Sequence, residues 1–207
     1  MSTGQLDARA RAYAALGDPS RLAIVDLLAR TDLSSGELGA RLDLPTNLMA
    51  HHLQVLELAG LITRRRSEGD GRRSYVRLTP ACHDLIGQPP APRPHRLAFV
   101  CSQNSARSQL AEAYWRTVSD VPAVSGGTHP ASGVNPLARP KLACEVLAGD
   151  ELVVAVCDRA YEELGTSPLH WSVPDPAGAE DTDAFEHAYD DLTDRITRLA
   201  ASFSVPA

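Results

Sequence analysis

The side chains best placed for covalent chemistry are Cys101, Arg107 and Ser108, within the stretch VCSQNSARSQLAE. This Cys-x5-Arg stretch follows an apolar run, LAFV at 97–100, and precedes residues with helical spacing. A loop between a strand and a helix can direct its backbone N–H groups and the positive helix N-terminus at one anion. We therefore predict that Cys101 attacks as a thiolate, that Arg107 holds two oxygens of a tetrahedral oxyanion, and that Ser108 donates a hydrogen bond to the thiolate.

The elements that must position this loop are typical of an α/β domain. LAFV and ELVVAVC (151–157) are continuous apolar runs rich in valine, as in strands buried on both faces of a parallel sheet. Helical spacing is found around Gln109 to Thr117 and from Asp181 to Ala201. The alternation of strands and helices predicts a three-layer α/β domain over residues 96–207.

A proline-rich segment separates this domain from the first part of the chain. GQPPAPRPH at 87–95 has four prolines in nine residues, which predicts a stiff, extended linker. Residues 1–88 hold 11 arginines against 10 acidic residues, whereas residues 89–207 hold 9 basic residues against 16 acidic ones. The near-neutral first part can still bind DNA if its arginines cluster on one face.

Residues 1–86 show the pattern of a mainly α domain with a β-hairpin. Asp18-Pro19 is a helix start, with Leu22, Ile24, Val25 and Leu28 as the expected buried stripe of the helix that follows. Further helices are predicted at Leu6–Ala15, Ser34–Leu42 and Pro45–Ala59, and a hairpin at Leu61–Arg66 and Ser74–Leu78 with Asp70-Gly71 in its turn.

This arrangement predicts a winged helix-turn-helix domain. The second tandem helix would enter the major groove and the hairpin would follow the DNA backbone. The hairpin is rich in arginine, which suits phosphate contacts. Its arginines are Arg64, Arg65, Arg66, Arg72, Arg73 and Arg77.

Residues 10–80 resemble the ArsR-type repressors in ALGDPSRLAIVDLL and in LPTNLMAHHLQVLELAGLITRRRSEGDGRRSYVRL. The resemblance implies a homodimer that binds operator DNA, with Thr46, Asn47, Ala50 and His51 presented to the bases. A metal site at His51 and His52 is disfavoured, because adjacent helical residues diverge by about 100°. The founding arsenic sensors carry a Cys-Val-Cys pair where this chain reads LSSGELGA, so their arsenite site is absent. Cys82 stands alone and is expected to be buried apolar filler.

Most of residues 96–180 resemble the low-molecular-weight phosphatases and, within them, the arsenate reductases. The matching stretches are FVCSQNSARSQLAEAYWR, SGGTHP, VNPLA, VVAVCD and HWSVPDPAG. The resemblance implies that Asp175 is a general acid and that Asn104 holds the loop in shape. The oxyanion would be bound by the loop residues Gln103, Asn104, Ser105 and Arg107.

Two departures from that family bear on turnover. Thioredoxin-coupled reductases use two further cysteines; Cys157 aligns with the first, but the second position falls near Leu164. The intramolecular disulfide relay of that class is therefore broken, and a small external thiol would have to resolve the adduct. Cys157 is kept as a possible resolving thiol. Cys144 is a weaker candidate and is expected at a helical core position. The segment between VNPLA and VVAVCD is also shorter than is usual in the family.

Three functions remain open from the sequence. The chain is a repressor with an active arsenate reductase domain, a repressor whose second domain only senses arsenate, arsenite or phosphate, or a regulator with a phosphatase domain. The expected partners are operator DNA, an arsenate- or phosphate-like oxyanion and a second copy of the chain. We expect a cytoplasmic protein without a membrane segment, because no apolar run approaches about 18 residues and the N-terminus is polar and charged. We also expect no bound metal and no tightly bound cofactor.

Overall fold

The chain divides into two compact units. The computed structural model describes residues 3–87, 89–131, 141–165, 168–176 and 182–203. The first unit comprises Met1–Arg66 and Arg72–Pro89, and the second comprises Ser67–Gly71 and Pro90–Ala207. The division after Pro89 lies within the segment interpreted as a linker. Among the described residues, no helix is long and apolar enough to cross a membrane.

The first unit is a winged helix-turn-helix fold, built from helices and one small antiparallel sheet. The strand order in that sheet is β1-β3-β2. Pairing runs from Ile62 opposite Leu78 to Arg66 opposite Ser74, so β2 and β3 form the predicted hairpin. The elements are α1 (Thr3–Leu16), α2 (Pro19–Leu28), β1 (Leu33–Ser34), α3 (Ser35–Leu42), α4 (Thr46–Leu58), β2 (Ile62–Arg66), β3 (Ser74–Leu78) and α5 (Pro80–Ile86).

Local sequence signals explain where these helices start. The Asp18 side chain accepts a hydrogen bond from the backbone N–H of Arg21, and Pro19 occupies the first turn of α2. Ser34 and Glu37 form a reciprocal capping box at the start of α3. The expected stripe on α2 is correct for Ile24, Val25 and Leu28, which are at most 2% exposed. It is wrong for Leu22, which is 42% exposed because the helix presents that position to the surface.

The second unit is an α/β domain with a parallel sheet. Its elements are β4 (Leu97–Cys101), α6 (Arg107–Val118), β5 (Ala123–Gly127), α7 (Ala143–Val146), β6 (Leu152–Ala155), α8 (Asp158–Leu164), β7 (Leu169–His170) and α9 (Thr182–Ser202). Every residue of β4 is buried, as the continuous apolar run predicts. Phe99 packs near Trp115 and Trp171, with ring centroids 6.1 and 6.2 Å away.

The sheet topology fixes where a site can form. The strand order is β5-β4-β6-β7, and all neighbouring pairs are parallel. The chain leaves β4 toward β5 on one side and returns to β6 on the other. Ligands of open α/β sheets bind at such a switch point, beyond the carboxyl ends of the strands. Cys101 ends β4 and Cys157 follows β6, so both thiols belong to this edge.

Candidate functional site

The loop after β4 surrounds the Cys101 sulfur with hydrogen-bond donors. Cys101 is 2% exposed, and its Sγ accepts a hydrogen bond from the backbone N–H of Asn104 at 3.2 Å. The Ser108 hydroxyl oxygen lies 3.0 Å from the same sulfur. Donors aimed at a sulfur stabilise its thiolate form, which is the nucleophile. The Cys-x5-Arg loop therefore brings Cys101 and Ser108 together in the way that their proposed roles require.

Asn104 holds the loop in a left-handed turn. Its φ is +49°, a region in which asparagine is one of the few tolerated side chains. The side-chain N–H donates to Ser108 Oγ at 2.9 Å, and its carbonyl oxygen accepts from the backbone N–H of Lys141 at 2.8 Å. Both ends of the amide are thus engaged within the protein, which fits the loop-holding role implied by the resemblance.

Gly127 allows the loop to lie against β5. A Cβ atom at this position would stand 2.8 Å from the Ser102 carbonyl oxygen and 2.9 Å from the Asn104 nitrogen. Any side chain here would therefore push the backbone of the loop away from the sheet. Sequence reasoning did not single out this glycine, although it lies in SGGTHP, one of the stretches that carried the resemblance.

Arg107 is buried and aims its guanidinium across the site. Its side chain is 7% exposed, and Nη1 donates to the carbonyl oxygen of Val173 at 2.9 Å. Nη2 lies 3.0 Å from Asp175 Oδ2, and Nη1 lies 3.5 Å from Glu68 Oε2. The predicted clamp and the predicted general acid are therefore neighbours. Glu68 is a member of this cluster that the sequence did not indicate.

A small cavity opens beside this arginine, at the carboxyl edge of the sheet. The Ser102 hydroxyl and Cys157 Sγ are 3.5 Å apart at its wall. Gln103 is exposed and also faces the cavity, whereas the Ser105 hydroxyl is turned toward the Gln103 side chain at 3.5 Å. The lining residues are Glu68, Ser102, Gln103, Arg107, Cys157, Asp158, Arg159 and Asp175.

Cys157 provides a second thiol at this edge. It caps the N-terminus of α8, and its sulfur accepts from the Ala160 N–H at 3.4 Å. Burial raises the pKa of the Cys157 thiol, and the nearby Cys101 raises it further, although Arg107 and the hydrogen bond from Ser102 oppose that rise. The thiolate of Cys157 is consequently less available than that of an exposed cysteine.

A buried contact between Asp158 and His170 supports the start of α8. Asp158 Oδ1 lies 2.9 Å from His170 Nε2, and the two side chains are 2% and 0% exposed. Tyr161 stacks on the His170 ring at a centroid distance of 4.2 Å. Burial alone would raise the pKa of the Asp158 carboxyl, but hydrogen bonds from His170, from the Glu68 N–H and from Ser172 lower that pKa below its usual value. None of these roles was predicted from the sequence.

The candidate DNA-reading residues share one face of α4. Thr46, Asn47, Ala50 and His51 are all exposed, while Met49, Leu53 and Leu56 on the opposite face are at most 1% exposed. His52 is buried, with Nδ1 3.9 Å from Asp18 Oδ1, so it points away from His51. Among the described residues, no group of three or more His, Cys, Asp and Glu side chains could hold a metal ion.

The arginines of the hairpin lie at its surface. Arg64 pairs with Glu57 at 3.1 Å, with roughly a third or more of each side chain exposed. Arg66, Arg72 and Arg73 are exposed, whereas Arg65 and Arg77 are half-buried. The hairpin therefore presents positive charge to solvent on both of its strands and beside its turn.

The two remaining cysteines lie outside the site. Cys82 is fully buried in the core of the first unit, and burial raises its pKa to about 11, in line with the expected role as filler. Cys144 lies in α7 but is exposed, so the expectation of a core position is wrong. The reason is that α7 is a four-residue helix whose buried side chain is Ala143. The VNPLA stretch lies outside the described residues.

Comparisons with known proteins find similar proteins for both parts of the chain. A helix-turn-helix domain model matches residues 16–65. The arsenate reductase of Bacillus cereus (strain 03BB102) is 30% identical over 123 residues, which cover 49% of this chain and 91% of that protein. The crystal structure of the arsenate reductase from Archaeoglobus fulgidus is 23% identical, with a TM-score of 0.42 over 51% of this chain and 98% of that chain.

A similar structure is also known for the first unit. The solution structure of a homodimeric winged helix-turn-helix DNA-binding domain from Mycobacterium bovis, described as a possible ArsR-family regulator, is 29% identical. It covers 41% of this chain and 80% of its own length, with a TM-score of 0.37. The chain joins a helix-turn-helix domain to a second unit through which it belongs to the arsenate reductase family.

Proposed function

We propose that this protein is an operator-binding repressor whose second unit reduces arsenate, with Cys101 as the nucleophile. The observation that carries the proposal is the convergence of the Asn104 N–H and the Ser108 hydroxyl on the Cys101 sulfur. Arg107 supplies the charge and fork geometry that a tetrahedral oxyanion needs. Membership of the arsenate reductase family makes arsenate the first substrate to test.

The first chemical step forms a covalent adduct. The Cys101 thiolate attacks arsenate, the new S–As bond forms, and one arsenate oxygen leaves as water. Asp175, 3.0 Å from the guanidinium of Arg107, donates the proton that this leaving oxygen needs. Arg107 and the backbone donors of the loop stabilise the negative charge that builds up on the other oxygens.

The second step transfers two electrons to arsenic. The Cys157 thiolate attacks Cys101 Sγ, the S–S bond forms, and the S–As electron pair stays on arsenic, which leaves as arsenite. The placement of Cys157 Sγ next to Ser102, on the wall of the cavity, supports this role. Position 164 at the end of α8 is leucine, so an external small thiol reduces the Cys101–Cys157 disulfide.

DNA binding is assigned to α4 and to the hairpin. α4 would present Thr46, Asn47, Ala50 and His51 to base edges in the major groove, because these four residues share its exposed face. The arginines of the hairpin would neutralise phosphates on the DNA backbone. A fluorescence anisotropy titration with the DNA upstream of the gene tests this assignment, with scrambled DNA of equal length as the control.

The first unit also offers a surface for a second copy of the chain. Helices α1 and α4 border an apolar groove lined by Arg11, Ala14, Ala15, Val55, Leu58 and Ala59. Leu58 is 79% exposed and Tyr13 is 52% exposed. Exposed apolar side chains beside an apolar groove are typical of a surface that a partner covers. We expect a homodimer by light scattering and a monomer after Leu58→Glu. A dimer that survives this substitution would place the interface elsewhere.

Arsenite production from arsenate by the purified full chain tests the catalytic proposal. The assay is run with glutathione, mycothiol and thioredoxin as alternative reductants. We expect turnover with a small thiol, its loss in Cys101→Ser, and its retention in Cys144→Ser, which alters an exposed cysteine outside the site. Equal turnover in Cys101→Ser would contradict the proposal.

A sensing function without turnover is the second candidate. The observation in its favour is Leu164, which leaves α8 without the second cysteine of the thioredoxin-coupled relay. In that case arsenate or phosphate would change operator affinity, although no arsenite would form with any thiol. Hydrolysis of p-nitrophenyl phosphate without arsenate reduction would instead identify a phosphatase.

A further inference from the structure

The turn Ser67–Gly71, which belongs to the second unit, is fixed on α8 by hydrogen bonds to two acidic side chains. The Ser67 hydroxyl and the Asp70 N–H donate to the two carboxylate oxygens of Glu162, at 2.8 and 2.7 Å. The Glu68 N–H donates to Asp158 Oδ2 at 2.9 Å. Ser67 is buried, and its hydroxyl also accepts from the Gly69 N–H at 2.9 Å. The turn is therefore held in one position by several specific contacts.

Gly69 lets the turn and the Glu162 carboxylate approach each other closely. A Cβ atom on Gly69 would stand 2.3 Å from Glu162 Oε2 and 3.2 Å from the Cα of Arg159. The backbone of the turn consequently lies directly against α8, and a residue with a side chain at this position would weaken the hydrogen bonds to Glu162.

The turn places the Glu68 carboxylate beside Arg107 and Asp175, in the proposed oxyanion site. Its Oε2 lies 3.5 Å from Arg107 Nη1, and its two oxygens accept from the Asp175 N–H at 3.3 and 3.1 Å. A guanidinium and a backbone N–H are the donors that bind arsenate or phosphate oxygens. Glu68 also lines the same cavity as Ser102 and Cys157. A carboxylate of this chain thus engages the donors that an incoming oxyanion would use.

We propose that Glu68 is an internal competitor of the oxyanion and sets the affinity of this site for its ligand. The proposal rests on the proposed oxyanion-binding function of the second unit. A divalent anion at Arg107 and the negative charge of Glu68 repel each other, and they compete for the same guanidinium. Anion binding therefore displaces the Glu68 side chain and loosens the turn on α8.

Two variants separate this competition from a general loss of charge. Glu68→Gln removes the charge at nearly constant shape. Gly69→Ala weakens the hydrogen bonds that hold the turn against Glu162 of α8. Glu186→Gln is the matched control, because it removes one exposed carboxylate from α9. Dissociation constants for inorganic phosphate and arsenate are measured by isothermal titration calorimetry on the full chain. Far-UV circular dichroism confirms that each variant is folded.

The expected result is tighter binding of both anions by Glu68→Gln, by about tenfold, which corresponds to the loss of one modest charge interaction. Gly69→Ala should also bind more tightly, whereas Glu186→Gln should match the wild type. Hydrogen exchange gives an independent readout: phosphate should speed exchange at the Glu68 and Asp70 amides of the wild type, which are held by Asp158 and Glu162.

The contrary results are distinguishable. If the wild type binds the anions and Glu68→Gln binds them equally or more weakly, the proposal that Glu68 competes with the anion is wrong. The proposed oxyanion-binding function is then unaffected. The absence of anion binding in both the wild type and Glu68→Gln overturns this inference and the proposed function together.

Discussion

Arg107 Nη2 lies 3.0 Å from Asp175 Oδ2, with 7% and 46% of the two side chains exposed. The proposed oxyanion clamp and the proposed proton donor are therefore in direct contact. An anion that takes the guanidinium from Asp175 leaves that carboxyl beside the anion's own oxygens, where a proton can be transferred.

Asp175→Asn should lower turnover more than binding. The asparagine cannot supply the proton, so we expect kcat for arsenate to fall by about 10²- to 10⁴-fold, the usual contribution of a general acid. Phosphate affinity should be retained, because asparagine has nearly the same shape as aspartate and leaves the Arg107 guanidinium in place. Steady-state kinetics and calorimetry on the same preparation check both parts. A kcat within twofold of the wild type would remove Asp175 from the mechanism.

Gly127→Ala should damage the loop without touching a chemical group. The added Cβ would meet Ser102 O at 2.8 Å and Asn104 N at 2.9 Å, so the loop must shift. We expect a loss of about 1–3 kcal/mol of unfolding free energy, as for other overpacked sites, and a clear loss of phosphate binding. Gly36→Ala is the control, since a Cβ at Gly36 has no atom within 4 Å. Unimpaired phosphate binding by Gly127→Ala would show that the loop tolerates displacement.

Acid should destabilise the second unit through Asp158. The pKa of the Asp158 carboxyl is lowered in the folded protein. Its contribution to the free energy of unfolding is therefore fully present above the pKa of an aspartate in the unfolded chain, about 3.9. That contribution is lost as the pH falls through the pKa of the folded state. Asp158→Asn should therefore lower the urea concentration at the midpoint of unfolding at pH 7. Between about pH 5 and pH 3 this midpoint should decrease less steeply with falling pH in the variant than in the wild type. Parallel curves for wild type and variant would exclude this carboxyl as a source of the acid sensitivity.

The four thiols should differ widely in reactivity toward a maleimide. Cys144 is exposed, whereas Cys82 is buried with its pKa raised to about 11. We expect Cys144 to be labelled first at pH 7.5 and Cys82 to be labelled only after unfolding, because the thiolate is the reactive form. Mass spectrometry of tryptic peptides follows each site. Rapid labelling of Cys82 in the folded protein would indicate that the first unit opens readily.

Patterns along the chain predicted both folds, because each fold has a local signature in the sequence. The change in the spacing of apolar residues predicted the helices and the hairpin. The stretch after LAFV indicated Cys101, Ser108 and Arg107 as candidate site residues. The capping of α2 by Asp18 also followed from adjacent residues. Such features depend on neighbours in sequence, which a single chain displays directly.

The features that escaped prediction depend on contacts between distant segments. Glu68 and Arg107 are 39 positions apart, and Asp158 meets His170 across the end of the sheet. Gly127 matters only because β5 lies next to β4 in the sheet. Cys144 was misplaced because apolar spacing alone does not reveal which face of a short helix is covered.

DNA affinity should depend on salt through the arginines of the hairpin. Arg72→Ala and Arg73→Ala should each weaken operator binding and reduce the slope of log K against log salt by about 1, because one phosphate contact is lost. Arg198→Ala, which removes a charge paired with Asp194 on α9, serves as the control. An unchanged slope in both hairpin variants would mean that these arginines do not contact the DNA.

A base-contacting residue should behave differently from those arginines. Asn47→Ala should weaken binding to the operator more than to scrambled DNA, since a bidentate base contact contributes about 1–3 kcal/mol of discrimination. The salt slope should stay as in the wild type. Equal weakening on both DNAs would reassign Asn47 to the backbone.

The central claim is that Cys101 and Cys157 together supply the two electrons that reduce arsenate. The most direct measurement is a single-turnover experiment on fully reduced protein without added thiol, with arsenite and free thiols quantified over time. We predict about one arsenite per chain with the loss of two thiols, which is the stoichiometry of disulfide formation. We predict no arsenite from Cys101→Ser or Cys157→Ser. Arsenite release by Cys157→Ser at the wild-type yield, or by Cys101→Ser at all, would contradict it.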